Sequence, residues 1–189
     1  MKKYAFFLLC LVLLAGCGGG VREDGREMLG SVLSVEEPGH GFTLLDNNSI
    51  LTAQDIYLAT WVSGIPIDHV TAAGDNAQIY EAELFLLLQG CKDAENAEIA
   101  INEWMTLAND SYEVSETLNG ELYNNQAYTI LTYTVAAETN PYRRGVSAYA
   151  AYENYAVSAE LVCLDSYTGD IGMILRDFLE GCHYADTNN

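Results

Sequence analysis

Residues 146–164 read VSAYAAYENYAVSAELVCL. Val146–Tyr152 and Tyr155–Leu164 are runs of small, β-branched and aromatic residues. They flank the polar pair Glu153-Asn154. Two such runs joined by so short a turn form a β-hairpin, and strands joined that tightly can only pair antiparallel. Just upstream, Ala127–Ala136 alternates, with Tyr128, Ile130, Thr132 and Thr134 opposite Thr129, Leu131, Tyr133 and Val135. That period of two marks another strand. Thr139–Arg144, which contains Pro141, is the loop between them. Farther back, Asn124-Asn125 reads as a turn. Asn119-Gly120 is a stronger hairpin signal and is expected to end the strand Tyr112–Leu118.

Ala94–Asn109 is the clearest helix. Ala97, Ala100, Ile101, Trp104, Leu107 and Ala108 fall on one face at helical spacing. Its acidic residues crowd the first half, where the helix dipole favours them. A second helix is expected over Asp170–Glu180, burying Ile171, Ile174, Leu175, Phe178 and Leu179, with Gly181 placed to cap its end. Upstream of the first helix, Ala77–Leu88 is strongly apolar and reads as a central strand. Asp68–Asn76 is a polar connection, Ile56–Ile67 a strand centred on Thr60-Trp61-Val62, and Thr52–Asp55 a helical turn. Ser31–Glu36 and Phe42–Leu45 are two short strands, and Asp46–Ser49 a turn. The expected fold is α+β, an antiparallel sheet covered by two amphipathic helices. It occupies residues 31–185 as a single domain, with 186–189 a polar tail.

This order resembles the PsbP-like family, which includes small Ran-binding proteins and many bacterial lipoproteins. The matching stretch is Tyr80–Leu179. It holds the apolar strand ending Leu86-Leu87-Leu88, the helix bearing Trp104, and the segment Leu122-Tyr123-Asn124-Asn125-Gln126-Ala127-Tyr128. The hairpin Tyr152-Glu153-Asn154-Tyr155-Ala156-Val157 and the closing helix with Asp177-Phe178-Leu179 follow. The resemblance implies a binding or assembly module, and it supplies no catalytic residues to carry over.

The amino terminus carries a second resemblance. Lys2 and Lys3 precede an apolar run from Tyr4 to Leu14, and Leu14-Ala15-Gly16-Cys17 follows. The run is too short for a permanent span, which takes about 20 residues. A charged start, an apolar core and small residues before a cut describe a processed signal. The segment is similar to a bacterial lipoprotein signal peptide, residues 1–16, with its lipobox. The resemblance implies cleavage before Cys17, lipid on that cysteine, and an extracytoplasmic protein anchored to the cell envelope. Several acyl chains together hold where one is marginal. Gly18 resembles outer-membrane sorting in a diderm; in a monoderm the protein would sit on the outer face of the cytoplasmic membrane. Residues 17–30, rich in glycine and charge, then form a flexible tether.

The chain of 189 residues has 27 acidic and 8 basic residues, a net charge of −19. The signal takes two of the basic residues and no acidic one, so the mature chain is more acidic still. Such a surface repels polyanions, and nucleic acid is excluded as a partner. Cys91, Cys163 and Cys182 remain after the signal and the lipidated cysteine. Cys163 sits in a strand pattern as a buried thiol. Cys91 and Cys182 each end an element and are a candidate disulfide, should those ends meet.

No strong catalytic or ligand signature emerges. Gly145-Val146-Ser147-Ala148-Tyr149 lacks the second glycine of a nucleophile elbow. Cys182 and His183 are neighbours in sequence, a poor arrangement for a nucleophile and its base. His40, His69 and His183 belong to no paired metal motif. The acidic turns Asp68–Asp75 and Asp165–Asp170 lack calcium-loop spacing. No cofactor, metal site or catalytic residue is expected. Tyrosine is the compositional excess, with 13 in the chain. Tyr142, Arg143, Arg144, Tyr149, Tyr152 and Tyr155 cluster around one hairpin, and Tyr and Arg favour recognition surfaces. The leading expectation is a non-catalytic, lipid-anchored module binding a protein or small-molecule partner through that hairpin. The alternatives are a secreted envelope or polymer hydrolase, and a small-ligand or cation carrier.

Overall fold

The computed structural model describes residues 33–35, 38–45, 50–51, 56–71, 73–121, 127–135, 140–152 and 154–184. The expected signal peptide, Cys17 and tether (residues 1–30), the helical turn at 52–55 and the tail at 186–189 lie outside these residues.

The first elements are the short strands β1 (Leu33–Val35), β2 (Phe42–Leu44) and β3 (Ile50–Leu51), followed by β4 (Ile56–Ser63). A ribbon follows, β5 (Ile67–Val70) and β6 (Asn76–Ile79), then β7 (Ala82–Gly90) and helix α1 (Ala94–Ser111). The second half holds β8 (Glu113–Glu121), β9 (Ala127–Thr134), β10 (Arg144–Tyr152) and β11 (Tyr155–Cys163). Helix α2 (Ile171–Gly181) and β12 (Cys182–Tyr184) close the chain. Eight strands form one sheet in the order β2-β4-β7-β11-β10-β9-β8, with β3 beside β4. Every pairing in it is antiparallel. The fold is therefore mixed α+β, with a large antiparallel sheet and, among the described residues, two helices.

The hairpin that opened the sequence reading supplies β10 and β11, in register from Tyr152↔Tyr155 to Arg144↔Cys163. Alternation along these strands divides the sheet into two faces. Ala82, Leu84, Leu86 and Leu88 of β7 share one face with Val157, Ala159, Leu161 and Cys163 of β11. This face joins Ile171, Ile174, Leu175, Phe178 and Leu179 of α2 in one core. The five helix residues are those expected from spacing. Trp61 meets Phe178 edge-on, with ring centroids 5.2 Å apart. The other face packs Leu131, Tyr149 and Ala156 against Ala97, Ile101, Trp104 and Ala108 of α1. The helices thus lie on opposite faces of the sheet.

Both helices start on an aspartate. Asp93 accepts the Asn96 N–H at 2.9 Å, and Asp170 accepts the Met173 N–H at 3.0 Å. Each satisfies an amide that the first helical turn leaves without a partner.

Three local expectations are corrected. Asn119-Gly120 is not a turn: it lies inside β8, opposite Thr129 and Tyr128, and the strand runs on to Glu121, opposite Ala127. The reason is contact. A Cβ on Gly120 would lie 2.5 Å from the Tyr128 hydroxyl oxygen, so the missing side chain makes room for that ring. The polar connection at 68–76 is itself structured, since β5 and β6 pair from Ile67↔Ile79 to Val70↔Asn76 as a separate ribbon. Ala77–Ile79 therefore belongs to the ribbon, and β7 begins at Ala82. Finally, Cys182–Tyr184, which shows no strand pattern in sequence, pairs with β1.

Candidate functional site

The six residues singled out in sequence are spread along one strand and its flanks. Arg144 and Tyr152 open and close β10, about 26 Å apart at 3.3 Å per residue. Tyr142, Arg143 and Arg144 are half-buried at one end, and Tyr155 is half-buried at the other. Tyr149, between them, is 2% exposed under α1. One Arg144 N–H donates to the Tyr167 carbonyl at 2.6 Å, and Tyr155 packs on the α2 core. The structure does not bring these residues into one exposed patch. Cys91 is a free, half-buried thiol, and Cys163 a free, buried one. The side chain of Cys182, the expected disulfide partner, is outside the described residues, as is that of Tyr152.

Tyrosine chemistry gathers instead on the α1 face of the sheet, around two carboxylates. Glu160, 7% exposed, accepts the Tyr133 hydroxyl, and the Tyr112 hydroxyl also bonds to it. The Tyr112 and Tyr133 rings stack with centroids 4.1 Å apart and planes within 5°. Glu83 accepts the Tyr142 hydroxyl, and that oxygen accepts the Tyr80 N–H at 3.2 Å. Glu83 faces Val162 and Phe85 faces Glu160 across β7 and β11, so the carboxylates sit diagonally on one face. Burial raises both carboxyls above the ordinary range, and the phenol donors pull them partly back. Burial and the adjacent carboxylate push the Tyr133 hydroxyl well up, so it stays a donor. Gly145 completes the arrangement. A Cβ there would lie 2.4 Å from the Tyr133 ring carbon bearing the hydroxyl, so glycine lets that ring lie flat on the sheet.

Glu160 is thus held by two tyrosine hydroxyls inside packed structure, and the half-buried Glu83 by one. The sequence signal for Glu160 was present: a lone acid at an inward-facing position of an apolar strand.

At the other end of the same face, a groove of about 440 Å³ opens between α1 and strands β8–β10, within the size range of small-molecule sites. Glu98 and Asn102 line it from the helix. Asn119 and Thr129 line it from β8 and β9, and Tyr149 and Ala151 from β10. Glu98, Asn102 and Asn119 are exposed, and Thr129 is half-buried. The Thr129 hydroxyl donates to the Asn119 side-chain oxygen at 2.9 Å. Tyr149 is the one member of the expected cluster that reaches this groove. The rest was hidden from sequence because Asn119 was assigned to a turn, and as a strand residue it faces α1 beside Thr129.

Two further features are exposed. Gly39, His40 and Gly41 have φ of 66°, 50° and 80°, a left-handed turn that is costly for a non-glycine residue. It places His40 Nε2 2.9 Å from the Asp177 carboxylate on α2. On the ribbon, Ile65 and Val70 are 79% and 62% exposed. Among the described residues no group of three His, Cys, Asp or Glu side chains could hold a metal ion. No described helix is long and apolar enough to cross a membrane.

No protein-family model matches the chain, and no curated protein matches it. Among solved structures, the chain is similar to cyanobacterial PsbP (CyanoP) from Synechocystis sp. PCC 6803. Identity is 12% and the TM-score 0.49, over 90% of this chain and 98% of that one. It is also similar to a crystal structure from Bacteroides thetaiotaomicron, at 9% identity and a TM-score of 0.34. That match covers 84% of this chain and 50% of the other.

Proposed function

We propose that this chain is an extracytoplasmic lipoprotein, anchored through Cys17, whose domain is a non-catalytic binding module. The groove between α1 and β8–β10 is its binding site, and that groove is the observation that carries the reading. It joins exposed polar side chains to a narrow apolar floor of Ile101 and Ala151 at the size of a small-molecule site. Glu83 and Glu160 each accept tyrosine hydroxyls within the sheet, a structural use that supports the non-catalytic part. The order β7, α1, β8–β11, α2 supports a PsbP-like domain, the order on which the sequence resemblance rests.

The binding reading is tested by screening small polar and apolar fragments against the isotope-labelled protein. Hits are expected to shift the amides of Glu98, Asn102, Asn119 and Thr129. Hits confined to other surfaces, or none, would overturn it. The anchor is tested by growing cells on tagged palmitate. Wild type should be labelled and Cys17→Ala should not; an unlabelled wild-type chain would refute the anchor.

A further inference from the structure

Building on the reading of the groove as a binding site, we propose that its ligand is a neutral polyhydroxylated molecule, a short saccharide chain. The two walls present both kinds of hydrogen-bonding group. On α1, Glu98 and Asn102 are four residues apart and so neighbours on the helix surface. Glu98 supplies acceptors; Asn102 supplies both donors and an acceptor. Across the groove, Asn119 and Thr129 are directly opposed on β8 and β9. The Asn119 side-chain oxygen takes the Thr129 hydroxyl at 2.9 Å, so the Asn119 amide nitrogen offers donors to a ligand.

Four classes of ligand meet these walls differently. A carboxylate or phosphate could accept from Asn119, but it would face Glu98 and the field of a chain of net charge −19. An ammonium could pair with Glu98 and the Asn102 side-chain oxygen, but it would set N–H against N–H at Asn119. An aliphatic chain would strip water from Glu98, Asn102 and Asn119 without replacing their hydrogen bonds. A hydroxyl both donates and accepts, and so satisfies both walls. On the α1 side of the sheet the groove also carries Ile101 and Ala151, with the buried Tyr149 beneath them. These give a narrow apolar floor for the C–H face of a sugar ring.

The test titrates the purified full mature chain with maltohexaose, cellohexaose and xylohexaose as neutral probes. Spermidine, decanoate and adenosine monophosphate are the cationic, apolar-acid and anionic probes. Amide shifts at Glu98, Asn102, Asn119 and Thr129 report occupancy, and calorimetry reports affinity. At least one neutral oligosaccharide should bind. Its affinity should fall about tenfold in Asn102→Ala and in Asn119→Ala, the loss expected for one or two hydrogen bonds, with the melting temperature held. If only a charged or apolar probe moves those amides, the groove remains a binding site and the saccharide assignment is refuted. If no probe moves them, the assignment and the site both fall.

Discussion

Removing the hydroxyl that Tyr133 donates to Glu160 should cost stability in a pH-dependent way. Glu160 is buried in the sheet, and burial raises its carboxyl above the ordinary range while the tyrosine donors lower it. In the folded chain Glu160 therefore binds a proton at pH values where the unfolded chain has lost it. A raised carboxyl contributes stability that is fully present below the unfolded value, about 4.3 for a free Glu. That contribution is lost as pH climbs through the folded value. Tyr133→Phe removes a donor that favours the carboxylate, so it raises that folded value further.

At pH 5, nearer the protonated form, the variant should lose about 1 kcal/mol, the net worth of an ordinary hydrogen bond. As pH rises to 8 the ionised form gains weight, and a buried carboxylate short of a charge-assisted partner should raise the loss toward about 2–3 kcal/mol. Urea unfolding with linear extrapolation at the two pH values measures both. Glu160→Gln supplies the control: it should flatten the decline of stability with rising pH. Equal losses for Tyr133→Phe at both pH values would refute the reasoning. So would a Glu160→Gln protein whose stability depends on pH as wild type does.

Three further outcomes follow from the same contacts. Gly145→Ala should cost about 2–4 kcal/mol, because the added methyl displaces the buried Tyr133 ring; combining it with Tyr133→Ala should recover much of the loss in a double-mutant cycle. Asp93→Ala removes the cap of α1 and should lower the urea midpoint with the slope of the transition unchanged. Tyr133 and Tyr142 are both raised above the ordinary phenol range, chiefly by burial. Stability should therefore fall as pH rises beyond about 10, and their phenolate absorbance should appear with unfolding and not before it.

Where the sequence was legible, local pattern did the work. The β10–β11 hairpin stands out because runs of small, β-branched and aromatic residues flank a two-residue turn. The inward stripe of α2 stands out because five apolar residues fall on one face of eleven. Asn119-Gly120 misled because the pair has two uses. It can make a turn through positive φ, or, as here, leave room for a neighbouring ring. Which use applies depends on Tyr128, across the strand pair. The Tyr/Arg cluster is dispersed for a related reason. Residues eight apart in a strand are close in sequence but far apart in space, and Tyr149 points under a helix.

The sequence by itself determined the elements that depend on neighbours within a few residues. These are the two helices, their buried stripes and the antiparallel hairpin. Its acidity alone argued against polyanionic partners. The tertiary structure decided what depends on strand partners distant along the chain. Tyr133 meets Glu160 across 27 residues, and Tyr142 meets Glu83 across 59. The groove needs α1 laid over β10 and β11, beside the exposed part of β8 and β9, before Glu98, Asn102, Asn119 and Thr129 can share a space. Local periodicity says which way a side chain faces, and only packing says what it meets there.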